Sequence, residues 1–160
     1  MTPMLKAFLR DCDGNNLIEG AMVTPLLLLL TFGIVDFASM FHVYLAMESG
    51  ISQATRFAVT GATKPDPTKP GMPMGREGTI KAAMQDASPS LNVSAMTFTF
   101  SHMTPGSASW AGGAGGPGDI GRVTVNYSWK PLTPILGTFL TDGKMTMTVE
   151  SAMRIEPEWE

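Results

Sequence analysis

The longest apolar pattern in the chain lies near its N-terminus, within residues 14–47. No charged side chain occurs in the sixteen residues 20–35, and five consecutive leucines follow Pro25. A helix of that length covers about 24 Å, which is short of the ~30 Å hydrocarbon core of a bilayer. The helix can reach the full thickness if the Asp36 carboxylate is covered by protein or water, because apolar residues continue beyond Asp36 and lengthen the span. The pattern therefore predicts a single membrane-spanning helix over residues 15–47.

Beyond the apolar run, hydrophobic residues recur at the intervals of an amphipathic helix. They are Phe37, Met40, Phe41, Tyr44, Ile51, Ala54 and Ala58. Gly61 and the proline-rich segment 64–75 end this pattern. We therefore expect one unbroken helix from near Leu17 to Val59, half in lipid and half packed on a small domain.

The remaining chain shows one helical pattern and three alternating ones. Residues 76–87 predict a short helix whose apolar face consists of Ile80, Ala83, Met84 and Ala87. Alternation of apolar and polar residues predicts strands over residues 91–100, 121–129 and 145–153. Three strands against one helix face indicate an α+β fold, in which the long helix packs on a small antiparallel sheet. This domain would occupy residues 48–160 and lie outside the cytoplasm.

Two connections follow neither pattern. Residues 102–120 are so rich in glycine that we expect a long mobile loop. Trp110, within this loop, is either an ordinary surface aromatic or an anchor for an interaction. Residues 130–140 are apolar but contain Pro131 and Pro134, which argues against a central strand.

Composition and charge exclude several classes of function. The net charge is −3 and the eleven Lys and Arg residues are scattered, so the chain offers no basic patch for nucleic acid. The single cysteine, Cys12, lies near the N-terminus. The two histidines have no Cys or carboxylate at a ligand spacing, and no nucleophile motif or phosphate-binding loop occurs. We expect no enzymatic activity, no cofactor and no metal site.

A short leader, residues 1–14, precedes the apolar run and contains two basic residues. Gly14 is followed by four uncharged residues and then Glu19. A charge within the bilayer costs between about 3 and 15 kcal/mol, so this carboxylate needs a partner or an interfacial position. Cleavage after Gly14 would free the α-amine of Asn15, which could pair with Glu19 of the same or a neighbouring subunit. This is the arrangement of a type IV prepilin signal.

The same segment resembles the N-terminal region of the TadE-like family, pilin-like proteins of the tight-adherence (Flp) pilus system. The matching residues are Gly14, Ile18, Glu19, Ala21, Pro25, Leu26–Leu30, Gly33, Ile34, Val35, Asp36 and Phe37. Gly20 departs from the pattern, because the family usually has an aromatic residue there. The segment from Tyr127 to Gly137 and the terminal Met153–Pro157 also resemble the C-terminus of the family.

The resemblance implies a minor pilin-like (pseudopilin) subunit involved in assembly of a type IVb pilus and hence in secretion and cell adhesion. Its implied partners are a prepilin peptidase, other pilin-like subunits, the major pilin, the inner-membrane assembly machinery and the lipid bilayer. The implied location is the bacterial inner membrane, with a periplasmic C-terminal domain, in or at the base of a pilus. The related TadF and TadG proteins share the N-terminal pattern.

Several alternatives stay open at this point. An uncleaved signal anchor would make the chain a periplasmic binding or scaffold module that never enters a filament, and an ordinary secretory signal is a further interpretation. Pro25 is either an ordinary membrane proline or a hinge. Asp36 lies either at the outer membrane–water interface or in contact with an assembly partner within the membrane.

Overall fold

The computed structural model describes the backbone of residues 13–157 and the side chains of residues 17–157; the proposed leader up to residue 12 lies outside that range. Two helices, α1 (Asp13–Val59) and α2 (Arg76–Ala87), precede the sheet. The sheet strands are β1 (Thr97–Met103), β2 (Ala111–Gly112), β3 (Ile120–Trp129) and β4 (Met145–Arg154). The long N-terminal helix packs on this small antiparallel sheet, and the expected α+β fold is thereby confirmed.

The sheet has the strand order β2-β1-β3-β4, and each neighbouring pair is antiparallel. Alternate residues of β3 face the helices, and Val123, Val125 and Trp129 are buried there. Val123 lies opposite Phe100 of β1 and Ser151 of β4, so the inward positions of three strands form one apolar surface. The opposite face is polar and includes a hydrogen bond from the Thr148 hydroxyl to the Asn126 side chain.

The two halves of α1 have different surroundings. In the range 17–35 most side chains are exposed, whereas Met47, Ile51, Ala54 and Ala58 are buried against the sheet and α2. The predicted stripe was therefore right for its C-terminal members. It was wrong for three aromatic residues that point away from the sheet: Phe37, Phe41 and Tyr44.

The reason for this error lies in the spacing of the buried side chains. The face of α1 that meets the rest of the fold is formed by residues at intervals of three or four: Asp36, Met40, Val43, Met47, Ile51, Ala54 and Ala58. Phe37 and Phe41 lie one position further round the helix, where their rings stack with centroids 6.5 Å apart.

Helix α2 crosses α1 at a close contact formed by a glycine and a serine. The Ser88 hydroxyl donates a hydrogen bond to the Ala46 carbonyl of α1 at 2.9 Å. A Cβ atom added at Gly50 would lie 2.5 Å from the Ser88 Oγ atom and 3.3 Å from the Met84 Cγ atom. The missing side chain of Gly50 thus allows the two helices to approach.

The first strand begins later than the alternation predicted. Residues 91–96 contain a short 3-10 turn, Val93–Ala95, and β1 starts at Thr97. The Gln85 side chain of α2 holds this segment, because it donates to the Leu91 carbonyl and accepts from the Val93 N–H group. These bonds replace the ladder hydrogen bonds that a strand would make there.

The glycine-rich segment is more structured than its composition predicted. Ala111 and Gly112 form β2 and pair with β1, which makes the sheet four-stranded rather than three-stranded. Trp110 is partly exposed and lies over the Arg122 guanidinium, 3.9 Å from the ring centroid. The segment is therefore attached to the sheet by both backbone and side-chain contacts.

The connection between β3 and β4 contains no strand, as its prolines predicted. It forms one helical turn, α3 (Pro134–Gly137), with Pro134 in the first turn, where the missing N–H group costs nothing. A second short turn, Thr141–Gly143, leads into β4. Residues 130–144 are called the β3–β4 connection below.

Candidate functional site

The N-terminal half of α1 has the properties of a membrane span. The region Leu17–Val59 is one helix, and its most apolar 18-residue window has a mean hydropathy of 2.0 and is only 6% buried. The five leucines at positions 26–30 are all exposed, although they occupy every side of the helix. No side of this half is therefore covered by the part of the chain that the structure describes. The helix is long and apolar enough to cross a membrane, as a single-pass membrane protein requires.

The residues of the predicted cleavage and assembly site lie at the start of this helix. The backbone of Gly14 and Asn15 belongs to the first turn of α1, and Glu19 follows Asn15 by four residues, about one turn. The Glu19 side chain is exposed. Its carboxylate is therefore accessible from outside the chain, as pairing with a neighbouring subunit would require.

Pro25 lies within the exposed half, and α1 is helical on both sides of it. A proline lacks the N–H group that would bond the carbonyl four residues earlier, here that of Ala21. The Thr24 hydroxyl donates to the Gly20 carbonyl at 2.7 Å, one residue before Ala21. Thr24 therefore does not satisfy the carbonyl that Pro25 leaves without its helical donor.

Asp36 is fully buried and bonded to the β3–β4 connection. Its Oδ1 atom accepts hydrogen bonds from the N–H groups of Leu132, at 2.7 Å, and Thr133, at 3.1 Å. Its Oδ2 atom accepts a hydrogen bond from the Thr133 hydroxyl. Three donors converge on one carboxylate, and hydrogen bonds to a charged group contribute roughly 1.5–3 kcal/mol each. Both interpretations from the sequence omitted this contact within the chain.

The β3–β4 connection exposes three large apolar side chains beside Asp36, namely those of Leu132, Ile135 and Phe139. We call these residues the connection patch. Phe139 is 81% exposed and Leu132 69%. The connection thus uses the backbone of Leu132 and Thr133 to bond α1 and leaves its apolar side chains uncovered.

The opposite end of the packed half of α1 is capped by two other segments. The Arg76 guanidinium donates to the Ala58 carbonyl at 2.9 Å, and the Glu156 N–H group donates to the Val59 carbonyl at 3.3 Å. These bonds satisfy carbonyl groups that a helix end leaves without partners. Beside them is a cavity of about 20 Å³ lined by Arg76, Arg122, Thr55 and mostly apolar residues.

The Asp119 carboxylate interacts electrostatically with Arg76 of this cap. The Gly116 N–H group, at 2.9 Å, holds the pKa of the Asp119 carboxyl below its usual range. The Thr104 hydroxyl and the charges of His102 and Arg76 act in the same direction, while burial opposes them. Burial lowers the pKa of the Arg76 guanidinium, and the Asp119 carboxylate partly offsets that effect. The cavity is small, and the Arg76 guanidinium that lines it bonds the end of α1.

Among the side chains of residues 17–157, no three of His, Cys, Asp or Glu come together at a geometry that could hold a metal ion. The arrangement that stands out instead combines an exposed apolar span, an exposed carboxylate at its start and a buried carboxylate at its end. The spacing of Asp36 relative to Met40, Val43 and Met47 was the signal that could have placed it on the packed face. No sequence signal indicated Leu132 and Thr133 as its partners.

Comparison with known proteins finds one similarity, in the N-terminal segment. No curated protein and no solved structure matches the chain. Residues 17–56 match the family described as TadE-like protein, a stretch that begins in the apolar span and ends within the packed half of α1. The TadE-like resemblance predicted from the sequence is thereby confirmed for this segment of α1.

Proposed function

We propose that the chain is a non-enzymatic minor pilin-like (pseudopilin) subunit that takes part in assembling a tight-adherence pilus. A prepilin peptidase would remove residues 1–14, and the α+β domain would lie in the periplasm. The observation that carries the proposal is the single helix α1, whose exposed apolar half continues without a break into the half packed on the sheet. A subunit of this shape can stack its apolar halves in a bundle while its domain makes lateral contacts.

Glu19 has a specific part in this proposal. After cleavage, the α-amine of Asn15 would enter an apolar bundle, where an unpaired charge costs several kcal/mol. The exposed Glu19 carboxylate of a neighbouring subunit is the partner we propose for it. Pairing between subunits would both remove the cost and set the axial position of one helix against the next.

The test replaces Glu19 and leaves the rest of α1 intact. Glu19→Ala should be inserted and cleaved as in the wild type, because neither step needs the pair between subunits. Crosslinking of the subunit to itself and to the major pilin, and the number of pili, should fall on the order of tenfold or more, because each 1.4 kcal/mol is a tenfold change. Glu48→Ala is the matched control, since Glu48 is an exposed carboxylate in the packed half of the same helix.

The alternative, a signal-anchored scaffold, predicts a different result. In that case the chain isolated from peptidase-positive cells would still carry its leader. An intact mass measurement would detect the leader. Glu19→Ala would then behave like Glu48→Ala in crosslinking and piliation. Equal crosslinking and equal piliation in the two variants, with normal processing, would overturn the proposed pairing.

A further inference from the structure

The connection patch raises the question of what covers it. Leu132, Ile135 and Phe139 are each at least 38% exposed, although burying such a side chain stabilises a protein by about 1.5–3 kcal/mol. Clustered apolar side chains on a surface mark a site of interaction. Three of them on one short connection are therefore better explained by a contact than by chance.

The position of the patch is fixed by Asp36. The Asp36 carboxylate holds the backbone of Leu132 and Thr133 against α1, one residue beyond the charge-free run that ends at Val35. Trp129 and Met145, which pair across β3 and β4, lie at the two ends of the connection. The patch thus occupies the end of the domain nearest the span, at the level where the apolar run ends.

Exposed apolar side chains also occur on α1 close to Asp36. On α1 itself, Ile34, Phe37 and Phe41 are exposed on the sides that the sheet leaves free. The connection patch extends this surface sideways from the helix. A bilayer that surrounds the helix up to Asp36 therefore meets the patch at its own boundary.

The charges that flank the patch suit the same environment. Lys130 and Lys144 bound the connection and are exposed, and Asp142 is its acidic residue, so the net charge of residues 130–144 is 2 − 1 = +1. Apolar side chains between lysines are typical of elements that lie in a membrane interface, where the ammonium groups reach the headgroups.

We propose that the connection patch inserts into the interfacial region of the bilayer and is a second point of membrane contact, in addition to α1. Asp36 is the positioning residue that holds the patch at this depth. The inference rests on α1 spanning a membrane, which is part of the proposed function. A lipid surface is favoured over a second copy of the chain because the patch is bonded to α1 at the end of its charge-free apolar run and is flanked by exposed lysines.

The experiment measures contact with lipid at single positions of the full chain. In a Cys12→Ser background, single cysteines at Phe139, Leu30 and Met72 are labelled with an environment-sensitive fluorophore. The chain is reconstituted in vesicles of phosphatidylcholine and phosphatidylglycerol that contain lipids with a nitroxide near the headgroup or deep in the acyl chain. Met72 is the matched control, since it is an exposed apolar residue in the loop before α2.

Quenching at position 139 by the shallow nitroxide should exceed that at position 72 at least fivefold, and position 30 should be quenched by the deep nitroxide. If position 30 escapes quenching, α1 does not span the bilayer and the proposed function fails with it. If position 30 is quenched while positions 139 and 72 are alike, the inference alone is overturned. Disulfide crosslinking between two Phe139→Cys chains without lipid quenching would show that a second copy covers the patch.

The role of Asp36 is tested in the same assay. Asp36→Asn removes the charge and places an amide N–H group against donors, so quenching at position 139 should fall by half or more while that at position 30 stays unchanged. Thr133→Ala removes one of the three bonds and should cause a smaller fall. If Asp36→Asn does not fold, Thr133→Ala carries the test. Unchanged quenching at position 139 in a folded variant would overturn the positioning role.

Discussion

The two halves of α1 share one secondary structure and differ in what surrounds them. In the range 17–35 apolar residues occupy every side of the helix and are exposed. From Asp36 to Ala58 the buried residues occupy a single stripe, and exposed polar residues such as Glu48 and Arg56 lie elsewhere. A helix apolar on all sides suits lipid, whereas a single stripe suits a protein surface. The two halves of α1 therefore have the same backbone structure. Only the pattern of their side chains suits one half to lipid and the other to a protein surface.

The largest expected contrast comes from removing apolar volume in each half. Ile51 is 1% exposed, so Ile51→Ala should lower the free energy of unfolding of the domain by about 2–5 kcal/mol. Leu29→Ala, in the exposed half, should change it by less than about 0.5 kcal/mol. Denaturation of the full chain in detergent, followed by near-ultraviolet circular dichroism, measures both. Comparable losses in the two variants would mean that the exposed half also packs on the domain.

The two halves also differ at their glycines. Gly50→Ala should destabilise the domain by about 1–2 kcal/mol, because overpacking against Ser88 and the fully buried Met84 outweighs the gain in helix propensity. Gly33→Ala is the matched control, since nothing lies within 4 Å of the added Cβ atom. Adding Ser88→Gly to Gly50→Ala should recover part of the loss. The same denaturation assay applies, and a stable Gly50→Ala variant would contradict the close helix contact.

A smaller effect concerns the carboxylate at the far end of the packed half. The folded-state pKa of Asp119 is lowered, so its contribution to stability is fully present above the unfolded pKa of about 3.9 and is lost as the pH falls through the folded pKa. Asp119→Asn should therefore lower the free energy of unfolding at pH 7. On acidification below pH 4, the free energy of unfolding should fall less in this variant than in the wild type. Asp142→Asn, in the β3–β4 connection, is the control. Parallel pH profiles of wild type and Asp119→Asn would exclude this contribution.

Most of the fold follows from local patterns in the sequence. The second helix, the strand that begins near Gly121 and the strand that begins at Met145 lie close to where the periodicity placed them. Periodicity failed where a contact from elsewhere in the chain decides the local structure. The Gln85 side chain converts residues 91–96 into a turn, and pairing with β1 makes a strand of Ala111 and Gly112.

The candidate site was predictable to a smaller degree, for the same reason. Glu19 and the span are properties of a continuous segment, so the sequence reveals them directly. The partners of Asp36 lie 96 and 97 residues away along the chain. The aromatic residues at positions 37, 41 and 44 made the packed face hard to identify from the sequence. Each directly follows a residue of the packed face and is itself apolar. Only the sheet decides which of the two faces is covered.

The hydrogen bonds at the two ends of the packed half have a mechanical consequence. Asp36 ties the near end of this half to the β3–β4 connection, while Arg76 and Glu156 tie the far end to α2 and the C-terminal segment. A force along the axis of α1, such as one applied through its membrane anchor, loads both ties and the apolar stripe between them together. Axial tension on α1 is therefore resisted by the hydrogen bonds at both ends and by the buried stripe between them.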